Sequence, residues 1–166
     1  PQMITNITNC KIRTFWFLHL VEELVSCDRQ ILILTDRRDH VIEMVGWCLS
    51  HDINAGPMMG VTKKIDRELR SKSLECQVII GTYSMVAEGF DCSKLDTLIL
   101  ASPKKDIEQS VGRILRKTAY DNQPLIIDIV DQNRPFRNNS YARTKFYKNN
   151  KKPNYIIYEK KIKLDE

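Results

Sequence analysis

The chain predicts an α/β fold: an open, mostly parallel sheet with helices on both faces. Three observations carry this. Short continuous apolar runs, such as Ile31-Leu32-Ile33-Leu34, have strand length and no polar alternation, as strands covered on both sides do. Longer segments with apolar residues at helical spacing lie between them. The two kinds alternate along the chain, as strand–helix–strand units require. At 166 residues the chain has the size of one compact domain.

Taken in order, residues 13–27 predict a helix, with Phe17, Leu20, Val21, Leu24 and Val25 near one face. Residues 31–35 predict a buried strand. Asp36 is expected to cap a second helix running to about residue 51, with Val41, Met44, Val45 and Leu49 on one stripe. Residues 54–60 hold a Gly-Pro break and a strand, and 62–72 a polar helix. Strands follow at 77–81, 95–101 and 124–130, with a helix over 107–115. A helix over 140–149 and an edge strand over 155–160 complete the pattern. The one linker-like stretch is Asn149-Asn150-Lys151-Lys152-Pro153, and there is no internal repeat.

Composition removes several classes of function. No apolar run approaches the roughly 18 residues needed to span a bilayer, so no membrane partner is expected. The first residues lack a basic segment followed by an apolar one, and no secretory signal is expected. The absence of an initiator Met fits a chain cut from something longer. Five widely spaced cysteines without a C-x-x-C pair argue against a disulfide scaffold. Cys48 and His51 have ligand-like spacing, but no second pair answers them, so no metal site is expected and both are read as half-buried helix residues. Free thiols in a reducing compartment, hence a cytoplasmic location, are the expectation.

Net charge is +5, unevenly placed. Residues 134–163 hold ten Lys and Arg against one acid, Glu159, which leaves the rest of the chain net acidic. Phe136, Tyr141, Phe146, Tyr147, Tyr155 and Tyr158 are interleaved with these cations. Such a mixture suits a polyanion with stackable bases, that is, nucleic acid. It equally suits a solvated basic face whose aromatic residues pack inward.

In open parallel sheets the chemistry lies beyond the carboxyl ends of the strands. The residues there are mainly hydroxyl-bearing and polar: Thr35-Asp36-Arg37-Arg38, Gly81-Thr82-Tyr83-Ser84, Ser102-Pro103-Lys104-Lys105 and Asp131-Gln132-Asn133. They suit phosphate contacts. Asp36, Arg37, Asp39 and His40 are expected to form a solvated helix start, and His19 and His51 to be structural.

Two of these edges carry longer signatures. Ile79-Ile80-Gly81-Thr82-Tyr83-Ser84-Met85-Val86-Ala87-Glu88-Gly89-Phe90-Asp91 resembles motif V of superfamily 2 helicases. Gln109-Ser110-Val111-Gly112-Arg113-Ile114-Leu115-Arg116 resembles their motif VI, in the Q-x-x-G-R-x-x-R form. The segment from Ile31 to His40 is similar to motif IV, and Gly60 fits the glycine that follows the next strand. Order and intervals agree over roughly residues 11–132. The Thr-Asp-Arg-Arg-Asp-His and Glu-Gly-Phe-Asp wording looks closest to helicases of large cytoplasmic DNA viruses, the poxvirus transcript-release type and its asfarvirus relatives. Repair and transcription helicases of the XPB and UvsW type share much of it.

The resemblance implies a RecA-like helicase C-terminal domain over residues 1–166, with 134–166 as a basic C-terminal segment. It implies that Arg113 and Arg116 act as arginine fingers, stabilising charge that develops on the γ-phosphate of ATP. Three residues apart, they can point the same way from one helix. An exposed arginine pair without a partner is the alternative. Gly89, Asp91 and Gln109 are implied in nucleotide contact and its coupling to motif VI. Asp91 can accept a ribose hydroxyl hydrogen bond, or merely cap a turn. Thr35, Gly60, Gly81 and Thr82 are implied in the nucleic-acid track, with Lys148, Lys151 and Lys152 added from the basic segment. Ser110 stands where DEAD-box proteins have an arginine, so that contact is not carried over.

The chain lacks a G-x-x-x-x-G-K-[ST] loop to cradle the β- and γ-phosphates. It also lacks an acidic motif to hold magnesium. ATP and Mg2+ are therefore expected to be bound mainly by a first RecA-like lobe, which together with nucleic acid is the expected partner. The isolated chain is expected to be inactive. Two other classes stand beside this reading. One is a non-catalytic nucleic-acid-binding module, which would not need the arginine pair. The other is a doubly wound small-molecule enzyme, against which stands the missing Gly-rich loop after the first strand.

Overall fold

The computed structural model describes residues 2–60, 64–87, 92–114 and 122–149. The elements run α1 (Gln2–Thr8), α2 (Lys11–Ser26), β1 (Ile31–Thr35), α3 (Arg38–Ser50), β2 (Ala55–Met58) and α4 (Lys64–Glu75). They continue with β3 (Val78–Thr82), α5 (Tyr83–Ala87), β4 (Thr97–Leu100), α6 (Glu108–Ile114), β5 (Leu125–Asp128) and α7 (Arg134–Asn149).

All strand pairings are parallel, in the order β2-β3-β1-β4-β5. Ile33 at the centre lies between Ile80 of β3 and Ile99 of β4. Side chains alternate across the sheet, which divides the core in two. Ile31, Ile33, Val78, Ile80 and Ile99 face Phe17, Leu18 and Val21 of α2 and Val41 and Met44 of α3. Leu32, Leu34, Ile79, Leu98 and Leu100 face the other way, onto Tyr83, Met85, Ile107 and Val111, with Phe146 and Tyr147 of α7 packed alongside. Burying each such side chain stabilises the fold by roughly 1.5–3 kcal/mol. β1 and β3 are buried along their full length, which is why their sequences lack polar alternation.

At the β2 edge the backbone of α4 approaches closely. A Cβ on Gly56 would lie 2.7 Å from the Cα of Ser73, so only glycine fits there. The Ser73 hydroxyl donates to the carbonyl of Pro57 at 2.7 Å.

The structure departs from the sequence reading at several points. α1 was not expected, because its sequence QMITNIT shows little apolar periodicity. The turn α5 is too short to leave a periodic signal. Asp36 does not cap α3. Arg37 occupies that position in an extended conformation with no side-chain cap, and the Asp36 carboxylate instead accepts from Arg37 Nη1 at 3.0 Å. α7 begins six residues before its expected start at 140, because Phe136 is buried and anchors its first turn. The expected strand over 155–160 lies outside the described residues.

Candidate functional site

Parallel topology brings the carboxyl ends of β3, β1 and β4 side by side. A cleft of about 370 Å³ opens there. It is lined by Asp36 after β1, Thr82, Tyr83 and Ser84 at the end of β3, Lys104 and Asp106 after β4, and Gln109 and Ser110 on α6. Residues from the three similarity segments thus meet at one edge.

The cleft wall is cross-tied. The N–H of Asp36 donates to Ser102 Oγ at 2.9 Å, joining the turns after β1 and β4. The Tyr83 hydroxyl donates to the Ser102 carbonyl at 2.7 Å, joining β3 to the same turn. Burial pushes the Tyr83 pKa upward, reinforced by nearby Asp128, so the ring stays a neutral donor. Lys104 Nζ lies 5.3 Å from the Tyr83 ring centroid, a cation–π contact that holds a positive charge at the cleft.

α7 ties the turn after β4 to β5. Arg143 is 2% exposed, donates from Nε to Asp128 Oδ2 at 2.7 Å and from Nη1 to the Lys104 carbonyl at 2.5 Å. The Tyr147 hydroxyl donates to the same Asp128 oxygen at 3.1 Å. The segment preceding α6 is therefore held from both sides, by Tyr83 and by Arg143.

Behind β1, His40 is buried between two threonines. Its Nδ1 meets Thr35 Oγ1 at 2.8 Å and its Nε2 meets Thr14 Oγ1 at 3.1 Å. Burial, with the nearby Arg13 charge adding to it, lowers its pKa to about 4. Arg13 in turn forks onto Asp131 at 2.6 and 2.8 Å and donates to the Ala101 carbonyl at 2.8 Å. His40 is thus no part of a solvated cluster, correcting the sequence reading. A charge-free imidazole is what an apolar site flanked by an arginine permits.

The expected site residues whose side chains are described separate into three groups. Thr82 and Gln109 line the cleft, Gln109 exposed on α6 and Thr82 with its hydroxyl 2.9 Å from Ser84 Oγ. Gly60 is half-exposed just beyond β2 with open space around it, and Lys148 is exposed on α7. Thr35 is fully buried with its hydroxyl engaged by His40, so that hydroxyl faces the core rather than a strand of nucleic acid. Gly81 is buried, and a Cβ there would lie 2.7 Å from the Met58 carbonyl; its lack of a side chain serves packing against β2.

Arg113 belongs to α6, one turn after Gln109, but its side chain lies outside the described residues. Gly89, Asp91, Arg116, Lys151 and Lys152 lie outside them too. Tyr83, Lys104, Asp128 and Arg143 were not singled out as site residues from sequence. The spacing of Phe136, Ser140, Arg143 and Tyr147 at three and four residues carried a signal for an inward row.

The Cys48–His51 pair is also corrected: Cys48 is fully buried, its thiol pushed up to about 12 by burial, while His51 is exposed and stacks on Trp47. Among the described residues no group of His, Cys, Asp and Glu could hold a metal ion, and no helix is long and apolar enough to cross a membrane.

The fold matches T4 UvsW with a TM-score of 0.69 and 18% identity, over 89% of this chain and 34% of that one. It matches the C-terminal domain of the DEAD-box protein Dbp5 with a TM-score of 0.60 and 15% identity, over 78% and 77% of the two chains. It also matches S. cerevisiae Dbp5 bound to RNA and ADP BeF3, with a TM-score of 0.62 and 15% identity, over 81% and 36%. The five-stranded parallel sheet with its helices has the RecA-like architecture of such helicase C-terminal domains.

Sequence comparison specifies the relatives. A protein of Acanthamoeba polyphaga mimivirus, named as a putative ATP-dependent RNA helicase, is 37% identical over 155 residues, covering 90% of this chain and 29% of its own length. A protein of Invertebrate iridescent virus 6, named as a putative helicase, is 38% identical over 92 residues, covering 55% and 19%. The chain is similar to these viral proteins, and it spans less than a third of the length of either. No family model matches it.

Proposed function

We propose that the chain is the second motor lobe of an ATP-dependent superfamily 2 nucleic-acid helicase or translocase, acting in viral transcription or DNA metabolism in the cytoplasm. One observation carries this: the ends of β1 and β3 and the start of α6, the segments that resemble motifs IV, V and VI, line a single cleft. ATP hydrolysis develops charge on the γ-phosphate, and a cation supplied from a facing lobe stabilises it. Arg113 and Arg116 are assigned that task, and Gln109, Gly89 and Asp91 the coupling of nucleotide to α6.

Thr82 and Gly60 supply the track at the sheet edge. Thr35 and Gly81 shape that edge from within, as their burial dictates. Lys148, Lys151 and Lys152 add positive charge. A first lobe holds ATP and Mg2+, and the relatives' names, with their greater length, support such a lobe. The test compares ATP hydrolysis by the 166-residue chain and by the complete protein, with and without single-stranded DNA or RNA. The isolated chain is expected to hydrolyse nothing above a mock preparation, and the complete protein to be stimulated by nucleic acid. Turnover by the isolated chain overturns the half-motor assignment.

A further inference from the structure

The basic C-terminal run does not act as one patch, because α7 sorts it. The helix holds 16 residues and no acid. Its inward row is Phe136, Ser140, Arg143 and Tyr147, buried or half-buried, with Arg143 and Tyr147 bound to Asp128 on the edge strand β5. Its outward row is Arg134, Arg137, Tyr141, Lys145 and Lys148, all exposed. At 100° per residue, these five positions fall within an arc of about 80° and extend about 21 Å along the axis.

We infer that this outward row binds a single strand of nucleic acid, the cations neutralising phosphates and Tyr141 stacking on a base. The inference rests on the nucleic-acid track proposed above and extends it beyond the cleft. Three features favour a single strand. Tyr141 is 58% exposed in the middle of the row, whereas Phe136 on the same helix is buried. The Arg137 guanidinium lies 5.9 Å from the Tyr141 ring centroid, pairing a cation with the π-face that a base would extend. A duplex keeps its bases stacked and offers that ring nothing, while a single strand offers both phosphates and base faces. Among the described residues, the ion pairs formed by α7 are confined to Arg143.

Fluorescence anisotropy of the chain with a labelled oligothymidylate or oligouridylate, across roughly 50–200 mM salt, tests this. Four phosphate contacts predict a log–log salt slope near −3, at about −0.7 per contact on a single strand. Replacing Arg134, Arg137, Lys145 and Lys148 with Ala should flatten the slope by up to that amount. Tyr141→Ala should weaken binding roughly five- to a hundred-fold, the equivalent of one lost base stack. Tyr141→Phe should bind as the unsubstituted chain does, and an abasic strand should not distinguish any of the three. All five side chains are exposed, so an unchanged melting temperature accompanies each expected result. A quadruple variant with the original slope overturns the inference while leaving the cleft track standing. Competition by polyglutamate as strong as by the oligonucleotide overturns it in favour of an acidic protein partner. If the unsubstituted chain binds neither strand, the nucleic-acid track itself fails, and this inference with it.

Discussion

Arg143 and Asp128 form an ion pair in which the arginine side chain is 2% exposed and the carboxylate 15%, so a cation from the most basic stretch of the chain is spent inside the fold. Desolvating both charges is expensive; Tyr147 and the Lys104 carbonyl add hydrogen bonds that offset part of this, while Asp128 Oδ1 is left buried without a hydrogen-bond partner among the described residues. Its stability value lies in what its loss would leave behind.

Arg143→Ala should therefore destabilise the chain by about 3–5 kcal/mol, because the largely buried Asp128 carboxylate would lose its ion-pair partner and keep Tyr147 as its donor among the described residues. That is a large share of the 5–15 kcal/mol typical of a domain. Urea unfolding at neutral pH measures it. A loss below about 1 kcal/mol would mean that the pair behaves as a surface bridge.

His40 predicts a pH dependence. Its folded pKa, about 4, lies below the ordinary 6.5, so the unfolded chain binds the proton more tightly. Stability from this group is fully present above pH 6.5 and is lost as pH falls through about 4. The loss amounts to about 3 kcal/mol at 1.36 kcal/mol per unit. Unfolding free energies of the unsubstituted chain and His40→Gln should converge between pH 7 and pH 4. Parallel curves would remove His40 as the titrating group.

Gly81 and Gly60 should respond oppositely to alanine. At Gly81 the new methyl would lie 2.7 Å from the Met58 carbonyl and force β2 away from β3, costing about 1–3 kcal/mol. At Gly60 nothing lies within 4 Å of the new Cβ, so the melting temperature should hold. Thermal unfolding of the two variants side by side decides it. Equal losses would contradict the packing role given to Gly81.

Arg116→Ala and Arg113→Ala in the complete protein should each slow ATP hydrolysis far more than they weaken ATP binding. Arginine fingers are worth roughly 10³–10⁵ in rate where best studied, and the lower end or less is expected for these. Single-turnover hydrolysis beside nucleotide titration separates the two effects. Normal rates in both variants would return the pair to ordinary surface charge.

Much of the fold was legible because the buried strands announce themselves: Ile31-Leu32-Ile33-Leu34 and Val78-Ile79-Ile80 have no exposed face and hence no polar alternation. The cleft's location followed from parallel topology alone. Partnerships across sequence distance were not legible. The Thr14–His40–Thr35 chain joins residues 26 and 5 positions apart, and nothing local marks His40 as buried. Asp36 looked like a cap because aspartate before a helix usually is one, yet its carboxylate accepts from Arg37, and its N–H is tied to Ser102, 66 residues away. Arg143 was hidden by its company, since nine other cations in the same stretch made charge a poor guide to burial.

Pro57 has a consequence for how copies of this molecule behave at high concentration. β2 is an outer strand, and the Val78 N–H bonds the Asn54 carbonyl, so by alternation residue 57 turns its backbone away from β3. An outward backbone position normally invites another chain to zip on. Here proline offers no N–H, and the carbonyl beside it is already claimed by Ser73. The rim of the sheet is thus blunted at residue 57, where neither backbone group is free to pair with another chain.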